Sequence, residues 1–326
     1  MKRFLLSERI RKAPPMLTIE PYLRPQDQPV ASRPEARQPL LVPLVVLDYG
    51  SITARIKHMR PIRQYLTGAV REMWKSASSI RQNPYSSRKT IDPHTLSELE
   101  TYAKSLGIAE IGYTVVNPHY IFRGFRILFP NAIVFTIEMD RDKIRQAPSL
   151  PSYIEIWRTY YEVGVIVNKI ADFLRQNGYN AHAGPAVGGD VNYVPLAIDA
   201  GLGVSGKNGM LITRHSGPRV RLAAVYTDIE NLPFSQENPH AWVRDYCESC
   251  NVCIQKCPAG AIHPSAITLA DGGPVYIDHT KCAMPFSNDL GCTLCIKLCP
   301  FSNASYERLR QAARHGDHNL QDPGTA

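Results

Sequence analysis

Cys247-Glu-Ser-Cys250-Asn-Val-Cys253-Ile-Gln-Lys-Cys257-Pro258 and, further on, Cys292-Thr-Leu-Cys295-Ile-Lys-Leu-Cys299-Pro300 hold all but one of the chain's eight cysteines. The remaining one, Cys282, lies ten positions before Cys292. A four-iron cluster takes four thiolates, and the spacing of the first run puts three of them on one tight loop. In paired runs of this kind the Cys that precedes proline ligates the other cluster. The pattern therefore predicts two 4Fe-4S clusters, one on Cys247, Cys250, Cys253 and Cys299, the other on Cys257, Cys282, Cys292 and Cys295. The runs are not symmetric: Asp289 stands where the second would have its first Cys, and Cys282 substitutes from a longer loop. Such a tail handles electrons one at a time.

Other uses of eight cysteines fit less well. Four disulfides would suit a secreted chain, and the start of this one shows no signal peptide. Structural zinc favours two separated Cys pairs rather than three close thiolates followed by Cys-Pro. No apolar run approaches the ~20 residues that span a bilayer. The longest, Leu40 to Leu47, contains Pro43 and reads as a buried strand. A cytoplasmic location is expected, since a reducing compartment suits the clusters.

The 326 residues far exceed what two clusters require, and 44% are hydrophobic, as in ordinary globular proteins. Removing roughly 70 residues for a cluster module leaves enough for one or two further domains. The net charge of +8 is uneven: residues 1 to 92 hold 17 Lys/Arg against 7 Asp/Glu, and the remainder 20 against 22. A basic N-terminal third suits nucleic acid, an anionic membrane surface or an acidic redox partner, or is a solvated arm over the core.

Residues 1–92 thus form a basic N-terminal extension, rich in Pro, Arg and Gln up to residue 39. Within it come the strand ending at Asp48-Tyr49-Gly50, a basic helical stretch broken at Pro61, and a Ser/Arg/Pro-rich linker from Ser76 to Lys89. An αβ domain over 93–235 follows. His94–Leu106 has helical spacing, and Ala109–Val116 and Ala132–Glu138 read as strands. The longest helical signal, Pro151–Asn177, carries an apolar stripe through Tyr153, Ile156, Trp157, Tyr160, Val163, Val167, Ile170 and Leu174. Tyr179–Ala183 is a short strand, Pro195 opens a short helix ending at Gly201, and Arg219–Thr227 alternates as a strand. Residues 236–305 form the cluster domain and 306–326 a polar tail. Ala200-Gly-Leu-Gly203-Val-Ser-Gly206-Lys-Asn-Gly209 packs four glycines into ten residues. It fits neither a Walker A loop nor a dinucleotide fingerprint, because it follows a helix rather than a strand.

Glu138-Met-Asp140, Ala147-Pro-Ser149, Phe173-Leu-Arg175, Gly178-Tyr-Asn180, Ala200-Gly-Leu-Gly203, Gly217-Pro-Arg-Val-Arg-Leu222 and Thr227-Asp228 occur in the order seen in corrinoid-dependent reductive dehalogenases, and both cysteine runs follow in place. Over residues 94 to 303 the chain resembles that family. It also resembles the related epoxyqueuosine reductases of tRNA modification, which share Ala-Gly-Leu-Gly, Gly206-Lys-Asn208, Thr-Asp and the cysteine runs. The resemblance implies an α+β protein in which a nitroreductase-like αβ domain holds a corrinoid (cobalamin) and packs against a two-cluster ferredoxin-like domain. It places the corrinoid against Gly201, Gly203, Gly206, Lys207 and Asn208, with Tyr193 and Thr227 beside it. No Asp-x-His-x-x-Gly is present, so no histidine ligand to cobalt is implied.

In the dehalogenases a tyrosine gives a proton to the substrate beside an Arg or Lys. The resemblance carries these roles to Tyr160 and Arg219, with Tyr161 the alternative if the register is one off. A fixed cation makes a phenol a usable acid by stabilising its anion. The plainer alternative is a core Tyr160 and a carboxylate-paired Arg219. The epoxyqueuosine reductases use an Asp just before Ala-Gly-Leu-Gly, and here Asp190 is displaced by about three positions, which favours the dehalogenase branch. Of the histidines, only His182 and His215 fall near the expected pocket. The reading is a reductase that draws electrons from a ferredoxin or flavodoxin through two clusters to cobalamin and cleaves a carbon–halogen or carbon–oxygen bond of a small molecule. Its rivals are an epoxyqueuosine reductase acting on tRNA and an electron carrier without chemistry of its own.

Overall fold

The computed structural model describes residues 18–38, 42–268 and 274–314. The basic stretch before Thr18, Leu40 and residues 315–326 lie outside them. In chain order the elements are β1 (Val30–Ala31), α1 (Val42–Tyr49), α2 (Ile52–Ser78), α3 (Pro93–Ser105), β2 (Ile108–Val115), β3 (Arg126–Ile127), β4 (Asn131–Glu138), α4 (Arg141–Arg145), α5 (Leu150–Gln176) and β5 (His182–Gly184). There follow α6 (Tyr193–Asp199), β6 (Gly203–Ser205), β7 (Leu211–Thr213), β8 (Val220–Thr227), α7 (Trp242–Cys250), α8 (Val252–Gln255), β9 (Ile262–Thr268), β10 (Pro274–Ile277), α9 (His279–Asn288), α10 (Leu294–Lys297), α11 (Pro300–Asn303) and α12 (Tyr306–Arg314). The architecture is mixed α+β, as expected.

The main sheet has the order β2-β4-β8-β5, every pair antiparallel. Its middle strands are covered on both sides, which is why Ala132, Ile133, Val134 and Phe135 are all wholly buried. Alternation sends Ile133, Phe135, Ala223 and Val225 to the side of α3 and α5, and Ala132, Val134 and Ala224 to the side of α6. Helix α5 begins where Ser149 and Ser152 cap one another's backbone amides, and ends at Gly178, whose φ of +81° favours glycine.

Several expectations about residues 1–92 are corrected. The apolar run before Gly50 is helix α1, because Pro43 falls in a first helical turn, where its missing N–H costs nothing. Val45 and Val46 are buried, and α1 is tied to α9 by Ser287 Oγ donating to the Val45 carbonyl. Helix α2 runs through Pro61 without stopping. Packing against α5 decides this, with Ile62, Ala69 and Met73 buried and Gly68 so close to the Tyr161 ring that a Cβ would lie 2.6 Å from it. The first residues of the expected linker finish α2, and Arg175 pins the next turn of chain by donating to Ser79 Oγ and Asn83 Oδ1. The polar tail likewise starts as an amphipathic helix, α12, with Tyr306 and Leu309 buried against α7.

One buried carboxylate ties the sheet to α4 and α5. Glu155 is fully buried and accepts from the Asp140 amide (2.8 Å), Lys143 Nζ (3.0 Å) and Arg158 Nη2 (2.7 Å). Burial alone would raise its pKa, but Arg158, the Asp140 amide and Lys143 together hold it down at about 2. The carboxyl is thus held below its unfolded value of ~4.3, so its stabilisation is present above that value and is lost as pH falls towards 2. Glu155→Ala is expected to cost about 2–3 kcal/mol at pH 7, less than the ~3–5 of a fully buried pair because both cations reach water. Urea midpoints for both proteins at pH 7 and pH 2.5 should differ strongly at the first and little at the second.

Candidate functional site

Helix α7 ends at Cys250, Asn251 takes the left-handed conformation (φ 52°), and α8 begins at once. Asparagine tolerates that conformation better than most residues. The turn lets Cys247, Cys250 and Cys253 face one hollow, which Cys299 at the start of α11 closes from the other run. Tyr246, Phe301, Gly206, Lys207 and Asn208 complete its wall. Burial raises the Cys299 thiol well above its ordinary range, with Cys247, Cys250 and Cys253 adding to the shift. These are the four residues expected to share a cluster, now seen as neighbours.

The second quartet includes Cys282, which α9 carries. Burial pushes the Cys282 thiol up to about 11, with Cys257 and then Cys292 adding to the shift. Cys295 is raised by burial and then by Cys282, Cys253, Cys292 and Cys257. The proximity of Cys253 and Cys295 makes the quartets adjacent. Gly291 (φ 75°) brings this loop onto α5, where a Cβ would meet Tyr153 at 2.8 Å.

All eight cysteines stand outside disulfides. Burial also lifts Cys247 to about 12 and Cys253 to about 11, so these thiols need a cationic group to exist as thiolates. Among the described residues no three His, Cys, Asp or Glu side chains converge on a single ion. A four-iron cluster asks instead for one thiolate at each corner of a larger body, and each quartet could hold one.

Lys207 secures the first quartet. Its ammonium, on a side chain 5% exposed, meets Glu248 Oε2 at 2.9 Å and donates to Asn251 Oδ1 (3.1 Å) and the Glu248 carbonyl (3.3 Å). It therefore braces the left-handed turn between two cysteines from the β6–β7 hairpin. In a Lys207→Met variant, reconstituted anaerobically, bleaching of the cluster absorbance by a chelator should accelerate several-fold for about half the iron and be unchanged for the rest.

The other residues expected to hold a corrinoid are spent on packing. Gly203 lies where a Cβ would come within 2.2 Å of the Ile212 carbonyl, and Gly201 (φ 74°) sits against Ser235. Tyr193 is buried with its hydroxyl donating to the Pro185 carbonyl, and Thr227 donates to the Asn180 carbonyl. With Gly206, Lys207 and Asn208 on the first quartet, the seven do not gather around one opening. As a set they do not fit a corrinoid.

An open cavity of about 470 Å3 lies on the other side of Phe301. That residue lines both the cavity and the hollow of the first quartet. Arg141, Arg214, His215 and Arg219 face the cavity, with Glu110 and Glu307 opposite in charge. A corrinoid exceeds the drug-sized ligands that clefts of roughly 300–1,000 Å3 hold, so this space does not enclose a whole one. Arg219 is buried, pairs with Glu138, donates to the Met139 carbonyl (3.1 Å), and keeps its Nε unpartnered.

Tyr160 is half-buried on α5, and the cation over its ring is Arg221, 4.1 Å from the centroid. This corrects the expected partner. Arg219 precedes β8 and turns to Glu138 and the cavity, which leaves Tyr160 to Arg221 within the strand. Tyr161 points elsewhere, packing on Gly68 and accepting from Arg71 (3.3 Å). Asp190 is buried and paired with His182 (3.3 Å), away from solvent. Of the residues that the sequence left unassigned, Arg221 was detectable by its two-residue offset from Arg219, whereas Arg141, Arg214 and Phe301 carried no signal.

No known family profile matches the chain. It is 34% identical over 212 residues to the tetrachloroethene reductive dehalogenase of Desulfitobacterium hafniense, covering 60% of this chain and 37% of that protein. The enzyme of that name from Sulfurospirillum multivorans is 30% identical over 186 residues, covering 54% of this chain and 36% of that one. The epoxyqueuosine reductase of Listeria monocytogenes is 25% identical over 249 residues, covering 63% and 64%. Among solved structures, a catabolic reductive dehalogenase superposes with a TM-score of 0.67 at 18% identity, covering 96% of this chain and 47% of that one. These relatives are oxidoreductases, and the chain shares the fold of the reductive dehalogenases. The chain is similar to both kinds of reductase that its motifs resemble, and it spans little over a third of the length of the curated dehalogenases it matches.

Proposed function

We propose that the chain is an iron–sulfur reductase of the reductive dehalogenase kind, with one 4Fe-4S cluster on each cysteine quartet. Clusters held by Cys247, Cys250, Cys253 and Cys299 and by Cys257, Cys282, Cys292 and Cys295 would supply one-electron transfer, the second taking electrons from the donor and the first lying nearer the arginine-lined cavity, with Phe301 lining both. The observation that carries this reading is the shared residue: Phe301 lines both the hollow of the first quartet and an open space of ligand size. The reaction is the reductive cleavage of a carbon–halogen or carbon–oxygen bond in a small molecule. Two electrons and one proton convert R–X to R–H and release X as its anion. Tyr160 and Arg221 do not line that cavity, so Tyr160 supplies the proton to a substrate that reaches from it to α5, and Arg221 over its ring stabilises the phenolate left behind.

The corrinoid that the resemblance implies would mediate between cluster and substrate, but the seven residues expected to hold it do not support that role, and no step is assigned to it. The buried Asp190–His182 pair weighs against the tRNA-modifying branch, whose acid must reach a substrate. The test is anaerobic reconstitution to about eight irons per chain, then incubation with a panel of organohalides and with an epoxyqueuosine-bearing tRNA stem–loop, each with and without added cobalamin. Halide release with two electrons consumed per halide supports the proposal. Fully loaded clusters that reduce none of these substrates, but do reduce a redox protein, would make the chain a carrier.

A further inference from the structure

The exposed side of α2 carries one sign of charge. Ile52, Ile56, Arg60, Arg63, Thr67, Arg71 and Trp74 recur at helical spacing and are all exposed, with Lys57 beside them. Glu72, the one acid in the helix's 27 residues, is buried. Among the described residues Lys57, Arg60 and Arg63 enter no ion pair. Ile52 and Ile56 are 75% and 70% exposed, an unusual setting for two isoleucines one turn apart. Met284 on α9 is also exposed, at 48%.

This face adjoins the second quartet. The Ser51 amide donates to Asn288 Oδ1 (2.9 Å), His58 Nδ1 lies 3.3 Å from the Ser287 carbonyl, and Phe286 and Leu290 pack with Met59, Ile62 and Leu66. Those bonds fasten the first half of α2 to α9, the helix that carries Cys282. We infer that the first half of α2 and the adjoining face of α9 are the docking surface for an acidic one-electron carrier protein that loads the second cluster. Exposed aliphatic side chains within a cationic surround match a protein partner, whose acidic residues would meet the arginines while its apolar centre covers Ile52, Ile56 and Met284. Nucleic acid would use the cations but gain little from the isoleucines. The inference rests on the second cluster being where electrons enter.

The test uses the full chain reconstituted with iron and an acidic 2Fe-2S ferredoxin as the probe donor. In a Lys57→Glu/Arg60→Glu/Arg63→Glu variant the second-order rate of cluster reduction by this ferredoxin should fall roughly tenfold or more at low salt and lose its salt dependence. Photoreduction by deazaflavin should be unchanged, which shows that the clusters are intact. Ile52→Ser/Ile56→Ser should weaken the complex while leaving the salt dependence in place. An unaltered ferredoxin rate in the charge variant overturns the docking surface while leaving the cluster assignment standing. If an RNA stem–loop binds the parent but not the charge variant, and ferredoxin reduces both alike, the surface serves nucleic acid and the inference is wrong. Failure to load iron at all would instead sink the reading of the quartets.

Discussion

A Cys257→Ser variant is expected to lose iron from the second cluster, although Cys257 belongs to the first run in the sequence. The reason is spatial. Cys257 is among the thiols acting on Cys282, Cys292 and Cys295, whereas Cys299 is raised by Cys247, Cys250 and Cys253. Pairwise variants make the point without assigning spectra. Cys257→Ser/Cys292→Ser should lose no more iron than either single variant, leaving about four of eight irons, because both remove the same cluster. Cys257→Ser/Cys299→Ser should lose nearly all of it. Iron and sulfide analysis after anaerobic reconstitution decides, and equal losses in the two double variants would show that each run binds its own cluster.

Tyr160→Phe should lower turnover by about 10²–10⁴-fold if the phenol delivers the proton. The fall should appear in kcat with KM little changed, because the hydroxyl acts only as the bond breaks. Arg221→Met should reproduce most of the loss, since it leaves the phenolate without the cation now 4.1 Å from the ring. Tyr161→Phe serves as the control. Its hydroxyl accepts from Arg71 on the α2 side of the helix and should not alter turnover. Halide release measured for all three proteins tests the assignment, and a Tyr160→Phe protein at full rate would remove the residue from the chemistry.

Local patterns reported local structure well. The apolar stripe of α5 and the strands flanking Ile133 and Val225 were legible because each is long enough for its period to show. Misreadings arose where neighbours outweighed propensity. Leu40 to Leu47 looked like a strand because an apolar run does not distinguish a buried strand from a short buried helix. Pro61 looked like a break, yet α2 continues because its inner face is held against α5. The glycines of 201 to 206 looked like a ligand platform, but Gly203 serves close backbone approach within the β6–β7 hairpin, and Gly201 and Gly206 lie against the Ser235 and Ile212 side chains.

What the sequence set by itself is the expected grouping of the thiols. A spacing of three residues confines cysteines to one loop whatever surrounds it, and the Cys before proline is expected on the other cluster. Only the tertiary structure decided which arginine covers Tyr160 and which residue the first quartet shares with the cavity. Those relations join β8 to α5, and α11 to the β7–β8 loop. They depend on strand register and packing between segments that the chain places far apart, so no local pattern encodes them.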